Sequence, residues 1–117
     1  MLLGELQLNH HVLPDSRIQQ TTNVFERMRG LLGRVELMPR ESLWITHCNS
    51  IHTFFMRYSI DVVFINKQGF VLKIGHHVAP WRVLLCIAAK SALELRAGDA
   101  EKLGLAVGAQ LKFLPKE

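Results

Sequence analysis

Residues 60–66, "IDVVFIN", constrain the fold of this chain more than any other stretch. Val62 to Ile65 are apolar without interruption, so both faces of an extended segment would be apolar. A strand of that kind belongs in the middle of a sheet, covered on both sides. The "KQG" that follows reads as a turn, and "FVLKIGH" as its hairpin partner. A central strand needs further neighbours, and the chain offers them in short pieces. Residues 2–8 alternate weakly and suit an edge strand. "RIQQTT" follows the turn "PDSR", and then come "SLWITHC", "SIHTFFM", "ALELRA" and "AQLKFLP". The segment 78–92, with Pro80 and Trp81, reads as a long irregular connection.

One segment has a helical period. In "NVFERMRGLLGR", Val24, Met28, Leu31 and Leu32 recur at helical spacing and predict an apolar face packed on the sheet. Asn23 is placed to cap it, with Glu26 three residues on. Gly33 is the expected terminator. Gly30, inside the predicted helix, costs about 1 kcal/mol relative to alanine and implies a close neighbour. "GDAEKLGL" suggests a second short helix or turn. Many short strands with one or two short helices predict a mainly β fold, a small β-sandwich or jelly-roll-like open barrel.

At 117 residues the chain has material for one core, so residues 1–117 are read as a single domain. The net charge is +4 with a pI near 9.4. Lysine and arginine never form a run and no nucleic-acid motif appears, so nucleic acid is not an expected partner. "MLLGELQLNHHVLP" lacks the basic start and cleavage site of a signal peptide. No apolar run approaches the roughly 18 residues needed to span a bilayer. A cytoplasmic setting is expected, with Cys48 and Cys86 reduced and not bonded to each other. Their spacing matches no zinc signature. No cofactor and no metal is expected, and the oligomeric state stays open.

The polar residues within residues 48–66 are the candidates for chemistry. On a straight strand Cys48, Ser50, His52, Phe54 and Met56 share one face. Thiol, imidazole and thioether together are a soft-metal ligand set, best suited to copper. Residues four apart on a strand lie about 13 Å from each other, however, which is too far for a shared ion or a nucleophile–base pair. Asp61 opens the apolar strand and must be offset locally. Its expected donors are Arg57, His52 and the amides of the Arg57–Ser59 turn, with Arg82 able to approach from the loop. A His52–Asp61 pair lining a pocket is the functional alternative. "HHVAPWR", residues 76–82, sets Trp81 and Arg82 on a loop, a combination favoured at binding hot spots.

The sequence resembles the domain of unknown function 192 family. The resemblance is carried by "RMRGLLGR" at 27–34, "IHTFFMRYSIDVVFIN" at 51–66, "APWR" at 79–82, "LEL" at 93–95 and "GLAVGAQL" at 104–111. Ser59 stands where the family often has proline, and Gly108-Ala109 where it often has Gly-Asp. The resemblance implies a small jelly-roll-type β-sandwich and implies no activity. Three functional readings follow from the residues. The first is a binding module for a small anion or an acidic peptide, with His52, Arg57, Asp61, Trp81, Arg82 and Glu94 as its surface. The second is a hydrolase or thiol-dependent enzyme using His52 with Cys48 or Cys86. The third is a soft-metal carrier.

Overall fold

The computed structural model describes residues 1–31, 33 and 36–116. The elements run β1 (Leu2–Leu8), β2 (His11–Val12), β3 (Arg17–Gln20), α1 (Val24–Arg29), β4 (Glu41–Thr46), β5 (Ser50–His52), β6 (Ile60–Ile65), β7 (Val71–Val78), β8 (Val83–Leu85), β9 (Ser91–Arg96), α2 (Asp99–Lys102) and β10 (Leu111–Pro115). One large sheet has the order β10-β1-β3-β4-β9-β6-β7, with β2 beside β1. Its pairings are antiparallel except β3 with β4. The sheet curls until its two edges meet around the bridge between Phe70 and Gln110, where main-chain hydrogen bonds also join Val71 to Ala109 and Leu111 to Gly69. The result is an open barrel, mainly β with two short helices, as the strand pattern implies.

β6 is the central strand that its sequence demands. It lies between β9 and β7, and all six of its residues are buried. Alternation along β4, β9 and β6 divides the apolar residues between two cores. Trp44, Leu93, Leu95, Val63 and Ile65 face the inside of the curl, where Leu6, Ile18, Val71 and Leu111 join them. Leu43, Ile45, Ala92, Val62 and Phe64 face outward into a second cluster with Ile51, Met56 and Leu31. That outer core exists because a separate two-stranded ribbon, β5 with β8, lies over it. Gly75 makes the approach possible: a β-carbon there would sit 2.5 Å from a methyl of Leu84.

Several expectations are corrected. β1 is no edge strand, because it pairs with both β10 and β3. The connection from 78 to 92 contains β8, which ribbon pairing with β5 draws into strand form. "SIHTFFM" is strand only over Ser50–His52, and Phe55 turns the chain at φ 65. Met56 therefore leaves the shared face and enters the outer core.

Helix α1 is shorter than predicted and does not pack through its periodic face. Asn23 caps it as expected, accepting the Glu26 amide at 2.9 Å. However, Val24 and Met28 are 56% and 75% exposed, and no residue of the helix is buried. Leu31, just past the end, carries the packing, while Leu32 lies outside the described residues. Gly30 is the terminator rather than an interior position, with φ at 51. Its expected close neighbour is Glu94, whose Oε1 would meet a β-carbon at 2.9 Å.

Candidate functional site

The β5–β8 ribbon has an inner and an outer side. Ile51 and Leu84 point inward to the core. The register pairs His52 with Val83 and Ser50 with Leu85, so these four share the outer side. All four are exposed. The strip continues past the strand ends into Phe54, Phe55 and Trp81. Phe54 stacks on Trp81 with ring centroids 5.7 Å apart, and Phe55 tilts against it at 4.7 Å. His52 extends the row, 5.1 Å from Phe54.

Two of these rings are held in a costly backbone geometry. Phe55 and Trp81 have φ of 65° and 67°, in the left-handed region that bulky side chains avoid. They are also 71% and 56% exposed, so burial does not offset the cost. Backbone strain persists only where its surroundings over-determine it. Here the fixing element is Thr53, which is fully buried. Its hydroxyl donates to the Ala79 carbonyl at 2.7 Å and accepts the Arg82 amide at 2.9 Å. Its carbonyl accepts the Trp81 amide at 3.0 Å, and its amide donates to the Arg82 carbonyl at 2.9 Å. One threonine thus fastens the 79–82 loop to the turn after β5. Sequence reasoning passed over it. A threonine between an exposed histidine and two aromatics, matched to a Pro-Trp-Arg loop, is the available signal.

The candidates named from sequence separate into two groups. His52, Arg57, Trp81 and Arg82 are all exposed. Asp61 and Glu94 are buried. Asp61 has donors other than those expected: the amides of His77 at 2.9 Å, Gly98 at 3.0 Å and Ala100 at 2.9 Å. A register shift between β6 and β7 lies between Ile60 and Val62, and it brings the His77 amide to the carboxylate. The other two amides belong to the start of α2, whose cap residue Gly98 has no side chain to serve them.

Glu94 instead lines a cleft of about 290 Å³ with His52, Cys48, Met56, Arg27 and Met28. The cleft runs between α1 and β5 and joins the aromatic strip at His52. It unites the thiol and the imidazole of the enzyme reading. Burial pushes the Cys48 thiol above the ordinary range, against the opposing effect of the Ser50 backbone, and the Glu94 carboxylate pushes it further the same way. Such a group stays a thiol, whereas a nucleophile needs a lowered value. Among the described residues no three His, Cys, Asp or Glu side chains converge to hold a metal ion. No helix among them is long and apolar enough to cross a membrane.

Comparison with known proteins bears on the fold and the family. A protein of unknown function from Novosphingobium aromaticivorans DSM 12444 has a similar structure at 20% identity and a TM-score of 0.76, with 94% of this chain and 84% of that one covered. A "putative transcription regulator" from Sinorhizobium meliloti 1021 is similar at 18% identity and a TM-score of 0.81, with 95% and 93% covered. At these identities the likeness establishes the shared fold alone. No curated protein matches the chain. Residues 7–113 match the DUF192 family, described as Uncharacterized ACR. With the match covering nearly its whole length, the chain belongs to the DUF192 family.

Proposed function

We propose that the chain is a binding module that docks an acidic, apolar-anchored peptide segment on the aromatic strip of the β5–β8 ribbon. The observation that carries this reading is the Phe55–Trp81 pair. Two large exposed rings are kept 4.7 Å apart by a backbone in the left-handed region. Exposed aromatic side chains with fixed geometry are the usual anchors of an interface. Phe54, Val83 and Leu85 widen the apolar area around them. A contiguous exposed apolar patch on a small protein marks an interaction surface.

Charge supports the choice of an acidic partner. Between Ser42 and Leu93 the only acidic residue is Asp61, while Arg57, Lys67, Lys73, Arg82 and Lys90 are all there. Asp61 is sealed inside, so this part of the chain offers solvent positive charge only. Arg57 and Arg82 stand next to the aromatic residues in sequence and are exposed. Long-range attraction of this kind speeds encounter and rejects basic partners. The free thiols of Cys48 and Cys86 fit a cytoplasmic setting.

Peptide display against the immobilised protein tests the reading. The expected result is enrichment of sequences that combine Asp or Glu with aromatic or aliphatic anchors. They should be lost when the selection uses Trp81→Ala. Enrichment of basic sequences, or of the same sequences on Trp81→Ala, would contradict it.

A further inference from the structure

The inside of the curled sheet is closed differently at its two ends. At the start of β6, helix α2 covers the opening, with Ala100 and Leu105 in the inner core. At the other end of β6 there is no such cover. The strands fan apart around a concavity of about 820 Å³ that reaches down to Trp44, Leu111 and Phe113. Its rim carries Lys67, Lys90, Lys112, His10 and His47, and among the described residues no carboxylate lines it. Neither ion pair seen among the described residues involves any of these lysines. Lys67, Lys90 and Lys112 line one concave mouth with no carboxylate among its described lining residues, and the positive potential they raise would be relieved by a single bound anion of several charges.

The rim is also fixed in place. Asn66 Oδ1 accepts the amides of Gln68 and Phe70, at 3.0 and 2.9 Å, and so shapes the turn that carries Lys67. The Gln110 side chain donates to the Gln68 carbonyl at 3.0 Å, while its amide donates to Asn9 Oδ1 at 2.9 Å. Lys90 is held from both sides of its backbone, donating to the Ile65 carbonyl and accepting the Cys48 amide. His10 and His47 both have positive φ, at 72 and 52. Asn9 and His10 form the two-residue turn between β1 and β2, which needs positive φ at both positions and so fixes His10.

We infer that this concavity binds a small, multiply charged anion of the phosphate class, such as a diphosphate group. All three cations are lysines, and an ammonium acts as a point charge with no planar fork to match a carboxylate. Selection therefore rests on the number of charges gathered in one place. Gln7, Gln20 and Gln110 are also among the lining residues, and an amide can bond the same oxygens. In sequence the lysines are scattered at 67, 90 and 112, so no motif announces them. The site is separate from the aromatic strip, which shares no lining residue with it.

Isothermal titration with pyrophosphate, orthophosphate and citrate tests the inference. Pyrophosphate should bind and orthophosphate should bind far more weakly. Citrate, which carries more charge than orthophosphate, should also bind more tightly than orthophosphate, and the reverse order would overturn selection by charge number. Lys67→Gln and Lys112→Gln should each weaken pyrophosphate by about fivefold, the size of one exposed charge contact. Both lysines are exposed, so melting temperatures should not move. Arg57→Gln, outside the concavity, should bind pyrophosphate like wild type. Absent pyrophosphate binding would overturn the site. So would binding that survives both lysine changes, and so would affinity for single-stranded DNA that grows with strand length while pyrophosphate fails to compete.

Discussion

The Asp61 carboxylate accepts the Ala100 amide at 2.9 Å, joining the central strand to helix α2 across 39 residues of chain. The same oxygen accepts the Gly98 amide, and the other oxygen takes that of His77. A buried charge is tolerated here because three amides replace its water. The carboxylate that the sequence marks as needing local compensation thus works as the anchor of the helix that closes the barrel.

Asp61→Asn should destabilise the protein by roughly 1–3 kcal/mol, because its amide nitrogen must face at least one of the three donors. Asp61→Ala should cost at least as much. Urea unfolding of the two variants measures both. A loss under about 0.5 kcal/mol, typical of a surface position, would remove the anchoring role.

Thr53→Val keeps the shape and removes the hydroxyl. The Arg82 amide and the Ala79 carbonyl then lose their partner, at a cost of roughly 1–3 kcal/mol. Thr53→Ser should recover most of it. Chemical denaturation reads the cost. If Val and Ser variants are equally stable, the hydroxyl does not hold the loop.

Met28→Asp should change stability by no more than about 0.5 kcal/mol, since the side chain is 75% exposed. Leu31→Asp, at a buried position, should cost several times that. Thermal melts of the pair decide between the observed placement and the packed face that the helical period predicts.

Cys48 should alkylate slowly near neutral pH. Its thiol is raised by burial and by Glu94, so the thiolate fraction at any given pH is below that of a free thiol. The rate with iodoacetamide should keep rising at pH values where glutathione has levelled off. Modification of Cys48 as fast as glutathione at neutral pH would instead favour thiol chemistry in the cleft.

The parts of the fold set by local pattern were legible in the sequence. β6 and its hairpin with β7 follow from continuous hydrophobicity and a turn signal, and the Asn23 cap from residue chemistry. What failed depended on tertiary placement. The period of Val24 and Met28 is helical, but the shortness of α1 and the position of Leu31 put the contact beyond the helix. The strand reading of residues 50–56 broke at Phe55, where a left-handed residue redirects the chain and no sequence rule marks it. Asp61 was recognised as needing local compensation. Its donors come from His77, Gly98 and Ala100, which only the folded sheet brings near. Among the site candidates, the exposure of His52 stayed open in the sequence, while Trp81 and Arg82 were legible as part of a surface-facing loop. Thr53 was not, because its role lies in four hydrogen bonds to a loop far along the chain.

The most direct test of the binding role is the affinity of a display-selected acidic peptide for wild type, Phe55→Ala, Trp81→Ala and Lys112→Gln, with melting temperatures taken in parallel. Hot-spot rings of this kind cost about 2 kcal/mol or more when truncated, roughly thirtyfold in Kd. The account predicts that loss for Trp81→Ala, a smaller loss for Phe55→Ala, unchanged affinity for Lys112→Gln and melting temperatures close to wild type throughout. Equal affinity of Trp81→Ala and wild type would contradict it.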